Sequence, residues 1–203
     1  MAKRQISAPF FESGPKSYLY GDDILDLALA ADKASEKYGV DIIFTCPVVD
    51  IRRVADATKH IHVFAPHMDP IPVGRGTADT LAEALVAAGA EGTQLNHVEK
   101  PLDFETLAAT IKRADEVGLT TIVCADSMAD ASKIATLNPD IIVAEPSALI
   151  GTGVSVGPEY VEAATKCVKD VNPNILVLTA AGIAGGEDVY NTIIAGADAT
   201  GSS

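Results

Sequence analysis

The sequence predicts an α/β fold: a barrel of eight parallel strands alternating with helices, apparently lacking the final helix in this chain. Three observations carry that expectation. An Ala-rich amphipathic stretch that ends in glycine and runs into a β-branched segment recurs, as in "AADKASEKYGVDIIFTC" and "IKRADEVGLTTIVCA". Glycine just past a helix supplies the left-handed cap, and repeated strand–helix units imply a parallel sheet. The strand segments are dense in Ile and Val with little alternation, so both of their faces are buried. No Gly-rich turn follows the first strand. An open doubly wound sheet is the alternative, but eight units without that turn fit a closed barrel better.

The elements follow in order. Strands are expected at residues 5–11, 41–46, 62–65, 92–95, 120–124, 141–144, 175–179 and 198–201. Helices are expected between them, near 22–38, 50–57, 77–88, 103–116, 128–136, 158–170 and 187–195. Glycines at 39, 89, 92, 118 and 196 punctuate these units. An eighth helix would complete the pattern, so the expectation is that the natural chain continues past Ser203, and that Ser202 and Ser203 are distorted without it.

Composition narrows the function. With 203 residues, of which 48% are hydrophobic, one domain spanning 1–203 is expected, with a core made mostly of Ala, Val, Ile and Leu. The net charge of −13 argues against a nucleic-acid partner and against docking on anionic membranes. Cys46, Cys124 and Cys167 lack paired spacing, which suggests neither disulfides nor zinc but packing thiols in a reducing cytoplasm. No apolar run is long enough for a membrane span, and no nucleotide motif or metal-ligand spacing is present, so neither cofactor nor metal is expected.

In such barrels chemistry sits where strands end and loops begin. The polar residues there are Lys16 after strand 1, His67 and Asp69 after strand 3, Asn96, His97, Glu99 and Lys100 after strand 4, Asp126 after strand 5, Glu145 after strand 6, and Ser202 and Ser203 after strand 8. Glu145 stands out in "VAEPSALIGTG", a carboxylate at the end of a buried strand. A carboxylate there is costly unless paired or used. From position alone, an ion pair and a catalytic base are equally good readings. Glu99 stands in the same balance, either paired with Lys16 or a solvated acid at the start of a helix. His60 and His62 fall at the other end of strand 3 and read as structural.

Five stretches together resemble the triosephosphate isomerase family in its short, archaeal-type form: "PKSY" around Lys16, "HMD" at His67, "LNHVEK" around His97, "AEPSALIGTG" from Ala144 and "AAGIAGGEDV" from Ala180. They occur in order along nearly the whole chain. The resemblance implies a TIM barrel. It also implies a cofactor-free aldose–ketose isomerase that interconverts glyceraldehyde 3-phosphate and dihydroxyacetone phosphate, as in glycolysis and gluconeogenesis. It makes Glu145 the base, His97 the electrophile and Lys16 the cation that anchors substrate. The loop 146–153 becomes a closing lid. Backbone groups of Gly151, Gly153, Gly182, Ser202 and Ser203 become the phosphate site, and Glu99 and His67 stand behind the reacting groups.

Several positions depart from the family pattern. Gly14 stands where the family usually has asparagine, Val98 where serine is common after the histidine, and Ala180 where glycine opens the strand-7 loop. Isomerisation of a related tetrose phosphate, or binding of a sugar phosphate without turnover, are therefore the alternative functions. A homo-oligomer is also expected, since small barrels tend to associate.

The chemistry suits these residue types. Moving a proton between adjacent carbons requires an aligned base shielded from water. The oxygen that gains charge needs a hydrogen-bond donor, which a neutral imidazole supplies. A helix beginning near Asp103 is expected to keep His97 neutral.

Overall fold

The computed structural model describes residues 3–149, 156–180 and 182–203. Eight strands close into one parallel barrel in chain order, with β1 (Phe10–Ser13) paired to both β2 (Ile42–Thr45) and β8 (Ala199–Ser202). Between them lie β3 (His62–Ala65), β4 (Gly92–Leu95), β5 (Thr120–Ala125), β6 (Ile141–Ala144) and β7 (Leu176–Thr179). Among the described residues seven α-helices surround the barrel: α1 (Gly21–Tyr38), α2 (Ile51–Ala57), α3 (Ala82–Ala88), α4 (Phe104–Val117), α5 (Met128–Ala135), α6 (Pro158–Lys169) and α7 (Gly186–Ile194). This is a TIM barrel, and β8 closes it against β1.

Two apolar layers hold it together. Inward-facing side chains, among them Phe10, Ile43, Phe64, Ile122, Ile141 and Leu178, fill the lumen, while outward-facing ones pack under the helices. The lumen is tight. A Cβ at Gly92 would lie 2.3 Å from the Phe64 ring and 2.5 Å from the Thr120 carbonyl oxygen. Gly92 is therefore a close-approach glycine that opens β4, the strand in which the sequence places it. Gly39, Gly89 and Gly118 do cap their helices in the left-handed region, with φ of 63°, 96° and 83°.

Two elements begin later than expected. The first strand starts at Phe10 because Pro9 has no N–H to donate to a ladder. It then runs on to Ser13, which carries Glu12 into the barrel mouth. The third helix starts at Ala82 and not near 77, because Thr80 is held in the preceding loop: its N–H donates to Asp69 Oδ2 at 2.7 Å and its carbonyl accepts from Asp69 N at 3.0 Å.

The barrel floor is closed by charge. Lys3 Nζ sits 2.6 Å from Asp115 and 2.7 Å from Asp140. His62, buried at the start of β3, has Nδ1 2.7 Å from Glu91 Oε2, which agrees with its expected structural role.

Candidate active site

The strand ends gather the expected residues at the opposite, C-terminal face. Lys16, His97, Glu145, Gly182, Ser202 and Ser203 all line one cavity of about 240 Å³, together with Glu12, Gly14 and Gln94. They reach it from the ends of five different strands, which is why only closure of the sheet brings them together.

Lys16 takes a left-handed backbone conformation, φ 51°, right after Pro15. Its Nζ lies 3.3 Å from Glu99 Oε1, so the ion pair is formed; Glu99 itself is exposed. An exposed partner contributes little to stability, below about 1 kcal/mol, but it gives the Lys16 side chain a direction.

His97 is held by the turn that follows it. The backbone N–H of Glu99 donates to Nδ1 at 3.2 Å. A ring nitrogen that accepts cannot carry the proton, so Nε2 is the N–H of the neutral ring. Burial lowers the His97 pKa, the positive charge of Lys16 lowers it further, and Glu99 opposes the shift. The helix expected near Asp103 begins at Phe104, with Asp103 capping it through a 2.9 Å bond from Thr106 N. Desolvation and the neighbouring Lys16 cation both favour the neutral imidazole.

Asn96, given no role in the sequence reading, fixes this loop. It adopts φ 58°, its Nδ2 donates to the Cys124 carbonyl at 2.9 Å, and its Oδ1 accepts from Leu102 N at 2.9 Å. It thus ties the β4 loop to β5 on one side of His97 and to the start of α4 on the other. A polar residue tolerant of positive φ directly before the histidine was the available signal.

Glu145 follows β6, its N–H donating to the Ala125 carbonyl at 3.1 Å. Burial raises its carboxyl pKa above the usual 4.5, and Lys16 opposes the rise. No ion pair within 4 Å engages it among the described residues, so of the two readings of its position the simple salt bridge is absent. It borders a second cavity, of about 410 Å³, shared with Asn96, His97, Leu102, Asp126 and Ser147. The loop beyond it is anchored at its start, where Ser147 N donates to Asp126 Oδ1 at 2.7 Å. Gly151 and Gly153, and with them much of the expected lid, lie outside the described residues.

His67 stands one layer away. Its Nε2 is 3.0 Å from Asp69 Oδ1, and it lines an adjoining cavity with Lys16, His97 and Glu99. Gly182 takes φ 70° at the rim. Ser202 is not distorted: it pairs in register with Ser13, and its hydroxyl donates to the Ile183 carbonyl at 3.1 Å. Strand pairing with β1 orders this end.

Glu12 is the functional candidate that sequence reading missed. It shares the inward face of β1 with Phe10, two residues earlier, and lines the cavity between Gly14 and Gly201. Burial, with a smaller contribution from Glu145, pushes its pKa up to about 7, against the opposing effects of Thr45 and Lys16. An acidic residue at that spacing from an apolar one was the signal, hidden because the strand was set too early.

An α/β barrel whose C-terminal mouth holds a raised carboxyl, a neutral imidazole and a lysine around one small cavity has the groups of a proton-transfer enzyme of the TIM-barrel class. Comparison with known proteins narrows this. The family model for triosephosphate isomerase matches residues 21–201. The chain is 38% identical over 188 residues to a triosephosphate isomerase of Methanobacterium bryantii, covering 90% of this chain and 83% of that protein. To the one of Methanocaldococcus jannaschii it is 39% identical over 181 residues, covering 88% and 82%. The crystal structure of triosephosphate isomerase from Bartonella henselae superposes with a TM-score of 0.77 at 16% identity, over 96% of this chain and 91% of that one. The chain belongs to the triosephosphate isomerase family.

Proposed function

We propose that this protein is a cofactor-free isomerase that interconverts glyceraldehyde 3-phosphate and dihydroxyacetone phosphate. The observation that carries the reading is the meeting of Lys16, His97 and Glu145 in one cavity of a chain 38% identical to named triosephosphate isomerases. In this scheme Glu145 takes the proton from the carbon next to the carbonyl, and the electron pair of that C–H bond forms the enediolate double bond. The carbonyl oxygen gains the negative charge, which the Nε2–H of His97 stabilises by hydrogen bonding. Glu145 then returns the proton to the carbon that bore the carbonyl, while the hydroxyl proton passes by way of His97 Nε2 to the former carbonyl oxygen; the carbonyl is left on the other carbon and nothing is consumed. Burial makes Glu145 a stronger base than a solvated carboxylate, and the same dry cavity strengthens the His97 hydrogen bond.

Lys16 supplies the positive charge that draws an anionic substrate into a protein of net charge −13. Gly182 and the backbone of Ser202 and Ser203 receive the phosphate at the rim, with Gly151 and Gly153 completing that site, where close backbone approach suits glycine. Glu99 directs Lys16, and His67 braces the neighbouring loop. We take residues 1–203 as one barrel domain working in the cytoplasm, a setting that suits three free cysteines. Self-association belongs to the same reading: Tyr18, Val49 and Val73 are 79%, 86% and 70% exposed, on the loops after β1, β2 and β3. No described helix is long and apolar enough to cross a membrane.

The test is a coupled assay on glyceraldehyde 3-phosphate with the parent chain and Glu145→Gln, beside light scattering for assembly. Turnover by the parent and its loss in the variant is the expected result. A parent that binds the triose phosphate without converting it would overturn the catalytic reading.

A further inference from the structure

Two carboxyl groups face the substrate cavity, and the scheme above uses only one. Glu12 projects from β1 into the floor of that cavity, and its Oε1 is buried with no hydrogen-bond partner among the described residues. The hydroxyl of Thr45 on β2, the nearby polar group that moderates its acidity, is likewise left without a partner of good geometry. An orphaned buried carboxyl oxygen is costly, so a group that persists there is expected to meet a partner that arrives with the ligand.

The surrounding backbone is shaped around it. A Cβ at Gly14 would lie 2.6 Å from Glu12 Oε1, and one at Gly201 would lie 3.0 Å from Oε2 and 2.8 Å from the Glu12 carbonyl oxygen. Neither glycine needs a positive φ, so their smallness serves space and not backbone conformation. Gly14 stands where the family usually has asparagine; in this chain the Glu12 carboxyl occupies the room that a side chain at 14 would claim.

Charge decides the form of the group. The titratable neighbours facing Glu12 are Lys16 on the β1 loop, His97 on the β4 loop, Cys124 on β5 and Glu145 after β6. Cys124 is held protonated by burial, and His97 is kept neutral. A single lysine therefore faces two carboxyl groups and, on the reading above, a phosphorylated substrate. Two ionised carboxylates and an anionic ligand around one cation in a dry cavity repel one another, so one carboxyl retains its proton. Glu145 must be the ionised one if it is the base.

We propose that Glu12, as a carboxylic acid, donates a hydrogen bond to an oxygen on the carbon chain of the bound sugar phosphate and thereby sets the alkaline limit of activity. The inference rests on the isomerase reading. The carbon chain and not the phosphate is its partner because Glu12 Oε1 is buried and feels the charge of Glu145, the base, whereas Ser203 of the phosphate loop is exposed. Its midpoint near 7 puts the loss of that donor within the working range.

The experiment compares kcat/KM against pH for the parent, Glu12→Gln and Glu12→Ala. In the parent, kcat/KM falls about tenfold per pH unit above neutrality as the donor is lost. Glu12→Gln keeps a donor that cannot ionise, so its alkaline side is flat up to the range where other groups titrate. Glu12→Ala lowers the rate about 10–100-fold at neutral pH. An alkaline limb in Glu12→Gln identical to the parent's overturns the proposal, as does a parent without one. A second measurement needs no variant: the Glu12 carboxyl ¹³C shift is titrated in the unmodified chain, alone and with a phosphorylated hydroxamate that mimics the enediolate. The expected midpoint is near neutral and rises when the mimic is present; a midpoint in the ordinary carboxylate range, or one the mimic leaves unmoved, overturns it. If the parent does not isomerise glyceraldehyde 3-phosphate at all, the isomerase reading fails instead, and the free-chain titration still decides the protonation of Glu12.

Discussion

The backbone N–H of Glu99 donates to Nδ1 of His97 at 3.2 Å, and this one bond fixes which ring nitrogen faces the substrate with a proton. With burial and Lys16 lowering the His97 pKa below 6.5, the ring stays neutral to lower pH than a solvated histidine. Nitrogen NMR of the imidazole is expected to show the Nε2–H tautomer unchanged as pH falls through 6.5. A ring that protonates at its ordinary pH would remove the neutral-electrophile scheme.

Replacing Glu145 with Gln removes the base but keeps shape and hydrogen bonding. We expect kcat to fall by at least about three orders of magnitude, roughly 4 kcal/mol of barrier, with folding little changed. The raised Glu145 pKa also places the acid limb of the parent's kcat/KM above the ordinary carboxylate range, because the base acts only when ionised. Retention of more than a tenth of the activity would exclude Glu145 from the mechanism.

Lys16→Met should weaken binding of a phosphorylated transition-state analogue by about 2–5 kcal/mol, since a partly buried charge partner is lost. Glu99→Gln should change that affinity by less than about 1 kcal/mol, because Glu99 is exposed. Titration calorimetry distinguishes the two, and equal losses would mean that the ion pair and not the cation holds the ligand.

Asn96→Ala deletes both clamps on the β4 loop, to the Cys124 carbonyl and from Leu102 N. The expected cost is about 1–3 kcal/mol of stability, with kcat reduced more than analogue affinity, as His97 loses its aim while Lys16 keeps its own. Denaturant unfolding and steady-state kinetics on the same preparation check this.

Stability should also report on Glu12. An acid whose folded pKa is about 7, against 4.5 unfolded, holds more protons in the native state between those values, so stability falls as pH rises through that window. The melting temperature of Glu12→Gln relative to the parent should therefore rise from pH 4.5 to pH 7. A difference that stays constant would place Glu12 in an unperturbed environment.

The repeating unit was legible along the chain because buried parallel strands read as unbroken Ile and Val runs and helix ends read as glycine caps. From that periodicity follow the eight strands, their order and the end of the barrel at which Lys16, His97 and Glu145 emerge. The motifs by themselves suggest the family. What periodicity cannot carry is contact across the barrel. Gly92 reads in sequence only as the glycine that opens a strand, and it is a close-approach position because Phe64 fills the lumen beside it. The His97 pKa is lowered by burial and by Lys16, which stands 81 positions away in the chain and is brought near only by closure. The role of Glu12 depended on where β1 begins: Pro9 moves that start, and a shift of start decides whether an acidic side chain is read as a turn residue or as part of the inward face. Local chemistry set the elements, whereas desolvation and lumen packing, which act between strands distant in sequence, decided which charges matter.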